Sequence, residues 1–263
     1  MSATPITTEQ ATQSTVITLA ELRALLDSDG ASTAASASKF RIRAPSKVYQ
    51  GNTRYMTLQR LTSTGSWLPV RVVCVVTTSH KPVYAGSQFQ KATVSFTNKG
   101  ATERALMSAY VQLAQIATQL MANEQGRAMR KQYNIAAGAV KTSALQQTTR
   151  EGIAMDTPIM RVMIPLTKMS FTTYDHTNPI TEALTYDTIN AFIPIGSKLS
   201  MIIDFSNIVS STFGLTLRAE CMTMNRITAG TVVDTMIGPN QSDLDILNDI
   251  SEHDGDEVQE YVE

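Results

Sequence analysis

The sequence predicts a β-rich α+β fold with one long helix, a flexible N-terminal arm and an acidic C-terminal tail. Three observations support this prediction. Many segments alternate apolar and polar residues with a period of two, which is typical of half-buried strands. One segment, Thr102–Glu124, repeats its apolar residues at helical spacing. Finally, residues 242–263 contain nine acids and no Lys or Arg.

The chain divides into three predicted regions. Residues 1–38 form the flexible arm, residues 39–228 the β-rich body and residues 229–263 the acidic tail. A length of 263 residues with 43% hydrophobic content is enough to bury one good core. The apolar runs fall short of the roughly 20 residues that cross a bilayer, and the N-terminus does not resemble a signal peptide. We therefore expect a soluble, intracellular protein without a membrane partner.

The arm contains one short predicted helix. Thr18 and Glu21 have the spacing of a capping box, and Gly30 supplies a stop. Three leucines form one apolar stripe on this helix, namely Leu19, Leu22 and Leu26. Such a helix could dock a partner or pack on its own body. The sequence leaves both alternatives open.

The body is predicted to contain two β regions separated by the helix at about 102–124. The strands of the first region are Lys39–Ala44, Arg54–Leu61, Trp67–Thr77 and Lys91–Asn98. Those of the second are Ile159–Met169, Ala191–Ile195, Lys198–Phe205 and Thr212–Arg226, with Gly196-Ser197 as a hairpin signal and Phe213 facing inward. A stretch without periodicity, at about 132–157, is predicted to be a long mobile loop.

The net charge of −1 conceals a strong separation of charge along the chain. All 22 bases and the other 14 acids lie in residues 1–241, which therefore carry a formal net charge of +8. From Gly30 to Thr102 there is no acid, while ten Lys and Arg residues occur. Such a field attracts polyanions.

The residues that usually indicate an enzyme or a metal site do not occur in recognisable patterns. His80, His176 and His253 lack metal-ligand spacing with cysteines or carboxylates. Phosphate-binding loops, dinucleotide fingerprints and nucleophile elbows are missing from the sequence. Cys74 and Cys221 lie at inward strand positions and are expected to be buried thiols. We therefore expect a protein that is not an enzyme and uses no cofactor or metal.

Lysines and arginines interleaved with aromatic residues favour binding of a single-stranded nucleic acid. The cations neutralise phosphates, and exposed aromatic rings stack on unpaired bases. Phe40 and Phe96 share a face with aliphatic neighbours and are expected in the core, whereas Trp67 is expected to share an exposed face with Arg71. The predicted binding residues are Lys39, Arg41, Arg43, Lys47, Arg54, Tyr55, Arg60, Trp67, Arg71, Tyr84, Lys91, Arg127, Arg130 and Lys131.

This order of regions resembles the acidic-tailed single-stranded DNA-binding proteins of phages, bacteria and DNA viruses. The shared layout is a basic β-rich body with aromatics, a basic loop and an acidic tail with an aromatic near its end, here Tyr261. The resemblance implies an OB-like, partly open barrel or sheet. It also implies a protein that coats and protects single strands during replication or recombination. The tail would then inhibit binding or dock replication or recombination proteins.

The second hypothesis from the sequence is a viral structural protein, such as a coat or nucleocapsid subunit. Its basis is the number of short strands together with the missing catalytic motifs. The preference for DNA or RNA is left open, because no base-reading or 2′-hydroxyl-reading motif is visible. Self-association into a homo-oligomer is also left open.

Overall fold

A computed structural model describes residues 15–27, 37–45, 53–84, 91–143, 145–148, 153–166, 170–175, 178–183 and 188–227. The chain divides into two units, Met1–Arg226 and Ile227–Glu263. Apart from Ile227, the described residues belong to the first unit. The predicted acidic tail, residues 229–263, lies outside the described residues.

The described residues form an α+β fold in which strands predominate. The helices are α1 (Leu19–Asp27), α2 (Ala101–Ala122), α3 (Glu124–Tyr133) and α4 (Ile189–Phe192). The first strands are β1 (Ile17–Thr18), β2 (Phe40–Arg43), β3 (Arg54–Leu61), β4 (Trp67–Pro69), β5 (Arg71–Thr77), β6 (His80–Tyr84), β7 (Lys91–Thr97) and β8 (Val140–Thr142). The remaining strands are β9 (Leu145–Thr148), β10 (Ala154–Pro165), β11 (Ser170–Asp175), β12 (Asn178–Ala183), β13 (Lys198–Asp204), β14 (Asn207–Ser211), β15 (Gly214–Leu217) and β16 (Glu220–Ile227). The predicted β-rich α+β class is confirmed.

The strands of the described residues form two main sheets and a separate β11–β12 hairpin. The large sheet has the order β1-β5-β13-β16-β10-β7-β6, and β9 also pairs with β10. The small sheet has the order β2-β3-β14-β15-β8, and β4 also pairs with β3. Each order is an open path, so neither sheet closes on itself within the described residues.

The core lies around helix α2, which contacts strands of both sheets. Its apolar spacing buries Leu106, Tyr110 and Leu113, as the sequence predicts. The Tyr110 hydroxyl donates to the backbone oxygen of Leu217 at 2.7 Å, which ties the helix to the small sheet. Burial raises the pKa of this hydroxyl. Within the described residues, no helix is long and apolar enough to span a membrane.

Helix α1 packs on its own body, which is one of the two alternatives that the sequence leaves open. Leu22 and Leu26 are buried in the common core. The predicted capping box is present: the Glu21 backbone N–H donates to Thr18 Oγ1 at 3.1 Å, and the Thr18 N–H donates to Glu21 Oε2 at 2.7 Å.

The long helix is confirmed, but a second helix follows it without a loop. Asn123 ends α2 and caps α3, since its Oδ1 accepts a hydrogen bond from the Gly126 N–H at 2.8 Å. Gly126 is required by close packing: a Cβ there would lie 2.1 Å from the Leu120 carbonyl oxygen. The two helices therefore meet at a sharp junction.

The predicted strand Trp67–Thr77 is wrong as a single element. It separates into β4 of the small sheet and β5 of the large sheet. Pro69 ends β4 because it has no backbone N–H to donate. The next residue, Val70, turns towards β13, and its carbonyl accepts from the Phe205 N–H at 2.9 Å. Trp67 and Arg71 consequently lie in different sheets and do not share a face.

The predicted strand Ala191–Ile195 is also wrong. Residues 189–192 form helix α4, whose first turn closes when the Phe192 N–H donates to the Thr188 carbonyl at 3.0 Å. Gly196, with a φ of +82°, forms a turn between this helix and β13 rather than the predicted hairpin. A short apolar run does not distinguish a buried helix from a strand.

Two further segments differ from the sequence prediction. The segment 132–157, predicted to be an irregular loop, contains β8, β9 and the start of β10. Its mobility stays a prediction.

The predicted strand Thr212–Arg226 separates into the turn at Thr212-Phe213 and the strands β15 and β16. Phe213 is 92% exposed instead of facing inward. The predicted core residues Phe40 and Phe96 are buried, as expected.

Candidate nucleic-acid interface

The small sheet has one face in the core and one face outside it. Met56 lies opposite Ile208, which lies opposite Leu217, and all three side chains are buried. Because side chains alternate between faces, the intervening residues share the other side. We call this side the outer face and define it as Arg41, Arg43, Tyr55, Thr57, Gln59, Leu61, Trp67, Pro69, Lys141, Asn207, Val209, Ser211, Gly214, Thr216 and Arg218.

The outer face carries charge of one sign. Its charged side chains are the cations Arg41, Arg43, Lys141 and Arg218, and no acid occupies any of the positions that define it. They are distributed from β2 at one edge to β8 at the other. Four strand spacings separate these edges, a width of roughly 19 Å. The surface therefore offers a polyanion several positive charges along a short path.

A cation–aromatic pair lies at the β2–β3–β4 side of the outer face. The Arg41 guanidinium carbon is 4.6 Å from the centre of the Trp67 ring. The same guanidinium donates from Nε to Gln59 Oε1 at 2.9 Å, which fixes its orientation. The Trp67 side chain is half-buried, so part of its ring is accessible. This arrangement keeps a planar cation and an indole together at the surface.

A second pair lies at the centre of the outer face. The Arg218 guanidinium carbon is 5.7 Å from the centre of the Tyr55 ring. Tyr55 is 40% exposed although it lies on a strand with strands on both sides. Pairing brings these residues together: Val209 lies opposite Tyr55, and the Arg218 N–H donates to the Asn207 carbonyl at 2.8 Å. Exposed Arg43 and Lys141 flank the two pairs.

The structure brings four of the predicted binding residues onto the outer face: Arg41, Arg43, Tyr55 and Trp67. Lys39 immediately precedes β2 and alternates in phase with Arg41. Arg54 and Arg60 instead point to the core side of β3, in phase with Met56 and Leu58. Arg60 is 6% exposed, and burial lowers its pKa while Glu21 of α1 opposes that effect. It therefore lies away from the outer face.

Other predicted residues lie in the large sheet. Arg71 donates from Nε to Asp204 Oδ2 at 3.3 Å, and this carboxylate also accepts from the Ser206 N–H. That ion pair joins β5 to the end of β13 and has a structural role. Lys91 is exposed at the start of β7. Tyr84 belongs to β6, and its side chain is not described. Lys47 lies outside the described residues.

The three predicted cations after the long helix lie on α3. Arg127 and Lys131 are exposed, and Arg130 is half-buried. Arg127 donates from Nε to the Ala122 carbonyl at 2.7 Å, so its guanidinium also helps to end α2. These cations form a basic helix surface, which is separate in sequence from the strands of the outer face.

Two residues of the outer face are missed by sequence reasoning, Lys141 and Arg218. Arg218 alternates with Leu217, and this period of two correctly places it outward, but its partner Tyr55 is distant in sequence. Lys141 falls in the segment that lacks periodicity, and only its pairing with Thr216 reveals its position. Cross-strand partners of this kind carry no local sequence signal.

Other features of the described residues fit a polyanion less well. A groove of about 760 Å³ runs along α2, and the residues that line it carry no charge, among them Gln115, Gln119 and Gln147. In the part of the chain that the structure describes, no three or more His, Cys, Asp or Glu side chains are grouped so that they could hold a metal ion. Both cysteines are buried free thiols, as predicted. Burial raises the pKa of Cys74 to about 12.

Comparisons with known proteins give distant structural similarities. No family model and no curated protein sequence matches the chain. A single-stranded DNA-binding protein from bacteriophage Enc34 is similar with a TM-score of 0.38 and 12% identity, covering 74% of this chain and 97% of that one. The same phage protein in complex with single-stranded DNA gives a TM-score of 0.34 and 12% identity, covering 73% and 98%.

A second phage protein shows a weaker similarity. The protein gp2.5, a single-stranded DNA-binding protein encoded by bacteriophage T7, gives a TM-score of 0.30 and 13% identity. The alignment covers 65% of this chain and 98% of that chain. At these TM-scores the likeness is distant and assigns no function to the chain.

Proposed function

We propose that this chain binds single-stranded nucleic acid, in the first instance DNA, on the outer face of the small sheet. One observation carries the proposal: two arginine–aromatic pairs lie on a face that has four cations and no acid at its defining positions. In this function the protein coats and protects single strands during replication or recombination and is not an enzyme.

The cations of the outer face supply affinity for the phosphates. Arg43 and Lys141 are exposed at opposite edges, and each can neutralise one phosphate. Binding then releases condensed counterions, which makes affinity strongly dependent on salt. This contribution is independent of sequence and suits a protein that covers any single strand.

The aromatic rings supply the preference for unpaired bases. Tyr55 and Trp67 present partly exposed rings on a sheet surface, and each is backed by an arginine. A base can stack on such a ring only if the face of that base is not already stacked on a neighbouring base. Stacking on the ring contributes roughly 1–3 kcal/mol per base. In a duplex the base faces are already stacked and paired. Single strands should therefore bind better than duplex.

The acidic tail has a role in the same proposal. Its nine carboxylates in residues 242–263 are opposite in sign to the outer face and can compete with phosphates for the same cations. Apolar tail residues such as Leu244, Leu247 and Tyr261 provide side chains that replication or recombination proteins can bind. The tail thus limits binding in the absence of nucleic acid and docks partners.

A competition titration tests the proposed function. Labelled oligo-dT is bound to the full chain and displaced with unlabelled single-stranded DNA, single-stranded RNA or duplex DNA of equal length. We expect single-stranded DNA to displace the label at a lower concentration than duplex. Duplex that competes as well as single strands would contradict the proposal, and RNA that competes as well as DNA would extend it to both nucleic acids.

A further inference from the structure

We propose that Phe213 is a base-stacking residue at the end of the outer face, where one base lies between its ring and the Tyr55–Arg218 pair. The inference rests on the proposed function and deepens it. It assigns a binding role to a residue that the sequence pattern predicts to be buried in the core.

The exposure of Phe213 is the first observation. Its side chain is 92% exposed, whereas Phe40, Phe96 and Phe205 are at most 2% exposed. Leaving a phenyl ring in water forgoes the favourable free energy of burial. A ligand that covers the ring recovers part of that free energy, and the flat face of a base fits it.

The position of Phe213 is fixed by a tight hairpin. Ser211 pairs with Gly214, so that only Thr212 and Phe213 form the loop between β14 and β15. The Phe213 N–H donates to Ser211 Oγ at 3.2 Å, and Gly214 adopts a φ of +105°. The left-handed region of φ favours glycine, which explains this residue at the end of the turn. A ring presented by such a turn loses little backbone freedom on binding.

The hairpin places Phe213 at the end of the small sheet, just beyond Ser211 and Gly214, the last pair of the outer face. Tyr55 lies opposite Val209, and the pair Ser211–Gly214 lies two residues further along the same strands. Two residues correspond to about 7 Å, and Phe213 lies beyond that row, so the loop is separated from the Tyr55 row by at least about twice the 3.4 Å rise between stacked bases. This separation leaves room for a base between the Tyr55 row and the hairpin tip.

Among the described residues, those of the outer face beyond Tyr55 towards the loop have little side chain. Ser211 and Gly214 form this part of the surface. Ser211 has a small side chain, and Gly214 has no side chain. A Cβ built on Gly214 would meet no atom within 4 Å. Within the described residues, this glycine therefore leaves space for a base beside the Phe213 loop. The arrangement differs from a single exposed apolar residue, which needs no explanation by itself.

Substitution of Phe213 tests the inference directly. F213A should weaken binding of oligo-dT by roughly tenfold, the loss expected for one stacked base. The slope of log K against log salt should not change, because the ring contacts no phosphate. I195A is the matched control, since Ile195 is also an exposed apolar residue in a turn but precedes β13 of the large sheet. It should bind as the unsubstituted chain does.

A fluorescence measurement gives an independent readout. F213W should add an emission to that of the unsubstituted chain, and oligo-dT should quench this added emission. I195W should add an emission that oligo-dT does not quench. Because both sites are exposed, all four variants should retain the unfolding midpoint of the unsubstituted chain, measured by circular dichroism.

The outcomes separate this inference from the proposed function. If the unsubstituted chain and I195A bind oligo-dT equally and F213A binds as tightly as both, the Phe213 role is overturned while the proposed function stands. A quench that is equal for F213W and I195W has the same consequence. Loss of self-association in F213A with unchanged affinity would assign the ring to a protein contact and overturn the inference. Failure of the full chain to bind oligo-dT overturns both proposals.

Discussion

At the scale of single residues, Arg41 shows how one side chain can organise the outer face. Its guanidinium lies 4.6 Å from the Trp67 ring centre and donates to Gln59 at 2.9 Å. Gln59 is only 6% exposed although it lies on the outer face. A planar cation held in this way can face a phosphate without losing its contact with the ring.

Trp67 offers a direct probe of this surface because it is the only tryptophan of the chain. Its ring is partly accessible beside Arg41 and lies on the outer face. Adding oligo-dT should therefore quench its fluorescence, since a stacked base alters the surroundings of the indole. A titration of emission against oligo-dT measures this. Duplex at the same nucleotide concentration should quench less. If oligo-dT does not change the emission, Trp67 is not part of the proposed interface.

At the scale of elements, Glu103 connects the first turn of α2 to the end of β5. Its Oε1 accepts the Thr77 backbone N–H at 2.7 Å, and the side chain is 7% exposed. The carboxylate also lies near the N-terminus of the helix, where negative charge is favourable. Removing it leaves a backbone donor without its partner.

E103A should therefore lower the free energy of unfolding by about 1–3 kcal/mol. The matched control is E124A, because Glu124 is likewise an acid in the first turn of a helix but is exposed. It should change the free energy of unfolding by less than about 1 kcal/mol. Chemical denaturation of both variants measures the difference. Equal destabilisation by the two substitutions would show that the contact with Thr77 is not the cause.

The elements also show which features a sequence can predict. The alternation Phe40-Arg41-Ile42-Arg43 correctly separates core from surface, because a strand with one buried face must repeat every two residues. The helical period of α2 is equally clear. The division between β4 and β5 has one local signal, Pro69, but the change of partner from β3 to β13 at that point is not contained in the apolar run itself.

The set of residues on the outer face could be predicted only in part. Arg41, Arg43, Tyr55 and Trp67 are visible as basic and aromatic residues in strand patterns. Their meeting on one face depends on strand order, which local patterns do not contain. Long-range strand pairing places Lys141 and Arg218 on the same face. Arg60 is not on this face, because it alternates in phase with the core residues of its strand.

At the scale of the whole molecule, charge separation along the chain determines how the tail should behave. Deleting Ser242–Glu263 removes nine acids and leaves a formal net charge of +8. If the tail competes with phosphates for the outer face, the truncated protein should bind oligo-dT more tightly at low salt. The gain should shrink as salt rises, because charges separated by more than about 8–10 Å are screened near physiological ionic strength.

Affinities of the full and truncated chains at low and high salt measure this effect. A matched control replaces the nine acids by Asn and Gln while keeping the tail length and its apolar residues. It should bind as tightly as the truncated chain if charge is the cause. Equal affinities for the full and truncated chains at low salt would show that the tail does not occupy the outer face.

The salt dependence of R41A/R43A tests the central claim most directly, namely that the outer face contacts the phosphates. Each phosphate contact contributes roughly 0.7 to the slope of log K against log salt for single strands, so the double substitution should reduce the slope by about 1.4. K99A/K198A removes two exposed lysines outside the outer face and should leave the slope unchanged. A slope that R41A/R43A leaves intact, or that K99A/K198A lowers equally, would contradict the proposed interface.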